Sequence, residues 1–267
     1  MRKNLLIPLA LTALPTFAAA QDFDDLVQFE VLSGWRNADG THVAAIKITL
    51  EPGWITYWRA PGEAGIPPQF SFSSASDVAS ITPHWPVPDV FDDAGLRSIG
   101  YYDGVVFPLT VDAVGVKGDI HVSGELTIGV CDEICIPVTF TFDTLLPTTG
   151  QTDPTITGAL ADHALTQQEA NVGDVTCQID PISDGLRLTA AIDVAQKNTS
   201  EFVVIEPSNP SVWVSQADVT RVGDTLSATV EMVHPSGEPF AFDRSGVRIT
   251  VLGNNGYAVD LRGCIAG

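Results

Sequence analysis

The sequence predicts an all-β protein of two β-sandwich domains joined by a linker that carries a short helix. Three observations lead there. Val, Ile, Thr and Phe recur in short runs that alternate with period two, the pattern of half-buried strands. Turn residues such as Asn37-Ala38-Asp39-Gly40 and Glu51-Pro52-Gly53 punctuate those runs at short intervals, as in a sandwich. At 267 residues the chain exceeds a typical single domain, and its texture changes after Leu145.

Residues 1–20 read as a secretory signal peptide. Arg2 and Lys3 form a basic start, Leu5 to Phe17 an apolar core, and Ala18-Ala19-Ala20 a small-residue cleavage site before Gln21. No other stretch approaches the ~20 apolar residues of a spanning helix, so the expectation is an exported, soluble chain with no membrane span after cleavage. The formal charge of −20 becomes −22 once those two bases are removed. Such an acidic chain has no means of neutralising a phosphate backbone, which excludes nucleic acid as a partner class. Anionic membrane surfaces are excluded on the same ground.

The first domain, 21–145, contains strand-like runs at Val27 to Ser33, Thr41 to Leu50, Phe70 to Phe72, Val105 to Val111 and His121 to Val130. Two segments break the pattern. Trp54 to Gly62 packs three aromatics against a Pro-Gly turn, and these are expected to supply buried area at the open end of the sandwich. Trp85 to Asp103 reads as a long aromatic-bearing loop, the kind of segment that carries function on a rigid scaffold.

The linker, 146–171, opens with Pro147-Thr148-Thr149-Gly150. Asp153-Pro154 then makes a helix start, with Asp as N-cap and Pro in the first turn, and predicts a helix from Thr155 to Glu169. Strands return in the second domain, 172–267, from Gly185 to Val194 through to Tyr257 to Leu261. Cys177 near its start and Cys264 near its end predict a structural disulfide. Closing a loop of that length stabilises by about 4 to 5 kcal/mol in the chain-entropy model.

The chemistry-bearing stretch is Val130-Cys131-Asp132-Glu133-Ile134-Cys135-Ile136-Pro137. Its cysteines fall where two alternating runs meet, so a strand-to-strand turn brings their Cα atoms within disulfide range. A metal site would need further soft or imidazole ligands, and His42, His84 and His121 show no paired spacing. No metal and no cofactor are expected. Two readings remain: an inert staple, and a dithiol that cycles. So short a loop gains little entropic stabilisation, so stability alone explains the pair poorly. Asp132 and Glu133 disfavour a thiolate beside them, which suits a pair that exchanges electrons inside a docked complex rather than a strong free oxidant.

This turn resembles that of the N-terminal periplasmic domain of the thiol:disulfide interchange protein DsbD, in the variant found in copper-sensitivity-suppressor-type membrane reductases. Pro52 to Gly62 is similar to that group's proline-glycine-tryptophan segment. Pro86 to Pro108, with Tyr101-Tyr102-Asp103-Gly104, is similar to its cap-loop region. The resemblance spans Phe29 to Phe142. It implies immunoglobulin-like sandwiches, a periplasmic location, and a Cys131/Cys135 dithiol of the protein-disulfide-reductase type. That dithiol would relay electrons from a membrane-embedded thiol reductase to exported thioredoxin-fold proteins. It further implies a shielding cap formed by Phe91, Asp92, Asp93, Tyr101 and Tyr102. Best-known members space their cysteines more widely and continue into membrane and thioredoxin-like domains, neither of which precedes Gly267 here. The alternative is a non-catalytic partner-binding or copper-handling module with Cys131–Cys135 as a staple.

Overall fold

The computed structural model describes residues 26–63, 65–74, 78–93, 96–113 and 115–267, and the expected signal peptide lies outside them. The first sandwich is built from β1 (Val27–Arg36), β2 (His42–Leu50), β3 (Ile55–Gly62), β4 (Gln69–Ser74), β5 (Ser80–Pro83), β6 (Asp89–Asp93), β7 (Leu96–Tyr102), β8 (Gly104–Asp112), β9 (Ile120–Cys131) and β10 (Cys135–Leu146). One sheet runs β1-β2-β8-β5. The other runs β10-β9-β3-β7-β6, with β4 also alongside β9. Alternate residues from both sheets, among them Ile46, Ile48, Trp58, Phe107, Leu126 and Ile128, meet in one core. Burying such side chains stabilises by roughly 1.5 to 3 kcal/mol each.

Both segments read as irregular are strands. Ile55–Gly62 is β3, lying between β9 and β7. Trp58, within β3, is buried in the core and Trp54, one residue before that strand, is packed partly buried against it, so these aromatics do supply buried area. The expected loop Trp85 to Asp103 contains the β6–β7 hairpin, in register from Asp89↔Gly100 to Asp93↔Leu96. Gly100 sits where β7 runs beside β3. A Cβ there would fall 2.0 Å from the Thr56 carbonyl oxygen, so the glycine is what lets β7 approach β3.

Helix α1 (Pro154–Ala161) starts as expected, with the Asp153 carboxylate accepting from the backbone N–H groups of Thr155 and Ile156. It ends well before Glu169. The next residues, β11 (Leu165–Thr166), pair in parallel with Val259 and Asp260 instead, a tertiary pairing that overrides local helix propensity. Ile156 packs on Val43 and Ala45, so α1 covers the outer face of β2 and that strand is buried on both sides.

The second sandwich comprises β11 with β12 (Val175–Pro181), β13 (Leu186–Asp193), β14 (Glu201–Glu206), β15 (Trp213–Val214), β16 (Asp218–Val222), β17 (Thr225–Val233), β18 (Arg248–Gly253), β19 (Ala258–Arg262) and β20 (Ile265–Ala266). Its sheets run β11-β19-β18-β14 and β15-β17-β13-β12-β20, with β16 on β17. Cys177, fully buried, is disulfide-bonded to Cys264 across a Cα–Cα distance of 5.8 Å.

One face of the β18–β19 pair joins the sandwiches. The cross-strand row Phe202–Leu252–Ala258 packs into the core of the first sandwich. The next rows are Val204–Thr250–Asp260 and Glu206–Arg248–Arg262, so the face grades from apolar to charged. Arg59 of β3 closes the junction. Its guanidinium lies 3.6 Å over the Trp58 ring and donates to both Glu206 carboxylate oxygens and to Thr250 Oγ1. Burial lowers its pKa to about 10, so it remains charged at neutral pH.

Candidate functional site

β9 and β10 form a long antiparallel hairpin whose register runs from Ile120↔Leu146 to Cys131↔Cys135. Asp132, Glu133 and Ile134 make the connection, and the Asp132 N–H donates to the Ile134 carbonyl at 3.2 Å. Cys131 and Cys135 are disulfide-bonded, with Cα atoms 4.2 Å apart. That spacing belongs to the narrow, non-hydrogen-bonded type of antiparallel pair, where facing side chains come closest. The hairpin therefore presents the two sulfurs to each other without moving the backbone.

The two cysteines are not equivalent. Cys131 is buried, with 1 % exposure, whereas Cys135 is exposed together with Asp132, Glu133 and Ile134. The asymmetry follows from sheet position: Cys131 pairs on its other side with Ile55 of β3, while β10 is the edge of the sheet.

Tyr57, which the sequence groups only with the aromatics that supply buried area, completes the site. It lies two residues beyond Ile55 and so projects from the same face of β3. Its hydroxyl is 3.2 Å from Cys135 Sγ. The ring is almost wholly buried, and burial raises the phenol above its ordinary value, so it stays protonated. Two glycines make room for it. A Cβ on Gly129 would stand 3.1 Å from Tyr57 Cδ2, and one on Gly65 would stand 2.7 Å from Cδ1. The tyrosine crosses β9 above Gly129 to reach the edge strand. Its alternation with Ile55 was the available signal, masked by the neighbouring Pro61-Gly62.

The residues expected to form a cap divide. Phe91 packs edge-on against Tyr102, ring centroids 4.5 Å apart. Tyr102 is 54 % exposed and is in register with Ile55, so Cys135, Cys131, Ile55 and Tyr102 form one row across the sheet. Two strand spacings put Tyr102 about 10 Å from Cys131. Tyr101 faces the other way: it is buried in the core and donates to the Pro86 carbonyl at 3.0 Å, because successive strand residues point to opposite faces. The side chains of Asp92 and Asp93 lie outside the described residues.

The comparisons with known proteins agree with this architecture. Among solved structures, the N-terminal periplasmic domain of ScsB from Proteus mirabilis is similar, with 25% sequence identity and a TM-score of 0.69, over 92% of this chain and 96% of that one. A search of curated proteins finds no match. Residues 23–147 match the family described as thiol:disulfide interchange protein DsbD, N-terminal. With its cysteine pair on the edge hairpin of an immunoglobulin-like sandwich, this first domain is similar to the DsbD N-terminal family of thiol-disulfide interchange domains.

Proposed function

We propose that the protein acts in the periplasm as a dithiol/disulfide relay. Cys131 and Cys135 receive electrons from a membrane-embedded thiol reductase and pass them to exported thioredoxin-fold proteins. The observation that carries this reading is the unequal exposure of the two cysteines, with the Tyr57 hydroxyl beside the sulfur of the exposed one. Among the described residues no helix is long and apolar enough to cross a membrane.

In the reducing half, a donor thiolate attacks Cys135 Sγ and forms a mixed disulfide, while the Cys131–Cys135 bond breaks and Cys131 leaves with the electron pair and takes a proton. The donor's second thiolate then attacks its own first sulfur and releases Cys135. Two electrons and two protons have moved, and the donor is left oxidised. In the second half, the Cys135 thiolate attacks the acceptor disulfide. Cys131 then resolves the mixed disulfide by attacking Cys135 Sγ from its paired position, and the acceptor leaves reduced. Tyr57 O–H donates to Cys135 whenever that sulfur carries charge, which makes Cys135 both a better leaving group and a more available nucleophile.

The test is a trap. Cys131→Ser leaves the exposed sulfur with no resolving partner, so it should accumulate a reducible mixed disulfide with a thioredoxin-fold protein in the exporting cell. Cys135→Ser should accumulate far less, because its remaining thiol is buried. Absence of any adduct with Cys131→Ser would overturn the relay.

A further inference from the structure

A cleft of about 640 Å³ lies between the two sandwiches. Its first wall is the segment that follows β3, with Pro61, Gly65 and Pro67, and its second wall comes from the other sandwich, with Phe202, Pro210 and Trp213. We infer that this cleft is the docking groove for the exported thioredoxin-fold partner, and that the second sandwich contributes that partner's selectivity through Trp213. This rests on the relay reading and extends it from the sulfurs to the surface around them.

Three observations carry the inference. The first is continuity with the cysteine face. The Tyr57 ring that touches Cys135 at its hydroxyl end is packed at its Cδ1 edge against Gly65, a wall residue of the cleft. One tyrosine ring therefore separates the reactive sulfur from the groove. β7 makes a second connection, since Arg97 lines the cleft and Tyr102 ends the cysteine row. A protein interface of ordinary size, roughly 800 Å² per partner, is about 30 Å across. A partner that size, with its sulfur on Cys135 and its surface extending past Tyr57 towards Gly65, would reach the groove.

The second observation is the character of the surface. Trp213 is the only exposed residue among the chain's five tryptophans, at 52 %, and it sits on the two-residue edge strand β15. An exposed tryptophan beside a concave apolar wall is the usual anchor of a protein interface, where tryptophan carries a disproportionate share of binding energy. Prolines on both walls hold the backbone in one conformation, so little ordering is lost on binding. The third observation is the chemistry of the second sandwich itself. Its cysteine pair is closed through the fully buried Cys177, so it has no accessible thiol there, and what it offers the reaction is surface. The occupant is thus an apolar protrusion next to the partner's own cysteines.

The experiment combines a photocrosslinker with the cysteine trap in the exporting cell. A benzoylphenylalanine placed at position 213 should capture the same protein that Cys131→Ser holds as a mixed disulfide. With that protein purified, Trp213→Ala should lower kcat/KM for exchange by about tenfold, as loss of an anchor side chain does. It should leave reduction by dithiothreitol unchanged, and Trp213→Phe should recover most of the loss. If the trap captures a partner and position 213 captures nothing, or only a second copy of this chain, the groove assignment fails while the relay stands. If position 213 captures a protein that the trap does not, the groove serves a different ligand and the inference is overturned. If neither yields an adduct, both readings fall. Equal loss with dithiothreitol and with the protein would show that Trp213 supports the fold, not docking.

Discussion

The Tyr57 hydroxyl lies 3.2 Å from Sγ of Cys135, the exposed member of a disulfide whose other member, Cys131, is buried. Tyr57→Phe removes that hydroxyl and nothing else. A hydrogen bond to a charged group is worth about 1.5 to 3 kcal/mol, so exchange should slow by about tenfold or more. The alkylation profile of reduced Cys135 should move to higher pH, because the thiolate loses its donor. Stopped-flow exchange with a protein dithiol and iodoacetamide kinetics against pH measure the two effects. Unchanged values in both would mean that the hydroxyl is only a spectator.

Phe91 packs on Tyr102 at the far end of the row that contains the cysteines. If this hairpin shields the reduced pair, Phe91→Ala should speed alkylation of the reduced protein by a small reagent while leaving the circular dichroism spectrum intact. An unaltered rate would place the shield elsewhere on the face.

The two disulfides should differ in what they do for stability. Cys177 and Cys264 are 87 residues apart, Cys131 and Cys135 only 4. In the chain-entropy model the first closure is worth about 4.5 kcal/mol and the second about 2. Cys264→Ser should therefore lower Tm much more than Cys135→Ser when each is melted without reductant. Equal losses would contradict the division into a structural and a reactive pair.

His42 gives the fold a pH dependence. The ring is fully buried, and that burial holds its pKa below the ordinary value, against the hydrogen bond to the Ser33 carbonyl and with the help of nearby Arg36. The unfolded chain takes up a proton near pH 6.5 that the folded chain resists. Stability is then undiminished above about pH 6.5 and falls as the pH drops below it. His84 is shifted in the same direction, chiefly by burial, and adds to the slope. Tm should decline between about pH 7.5 and 5.5, above the range where most carboxylates titrate. His42→Gln should flatten that decline. A variant with the wild-type slope would assign it to another group.

The sequence by itself determined the parts that local chemistry decides. Alternation on either side of Cys131 and Cys135 settles a hairpin with the thiols at its turn, because side chains of a strand face opposite ways at every step whatever the partner. Asp153-Pro154 likewise settles where the helix begins, since the cap is made within three residues. What only the tertiary structure decided depends on pairings between distant segments. Tyr57 reaches Cys135 because β3 and β9 lie side by side, and nothing within residues 55–62 shows that neighbour. Gly65, Gly100 and Gly129 each mark a close approach that exists only once the second segment is in place. Leu252 and Ala258 sit in the second sandwich by sequence and in the first core by packing. Periodicity assigns a residue to a face. Which surface that face meets is set by the long-range association of the two sandwiches, and that left both Tyr57 and the interdomain groove outside the reach of the sequence.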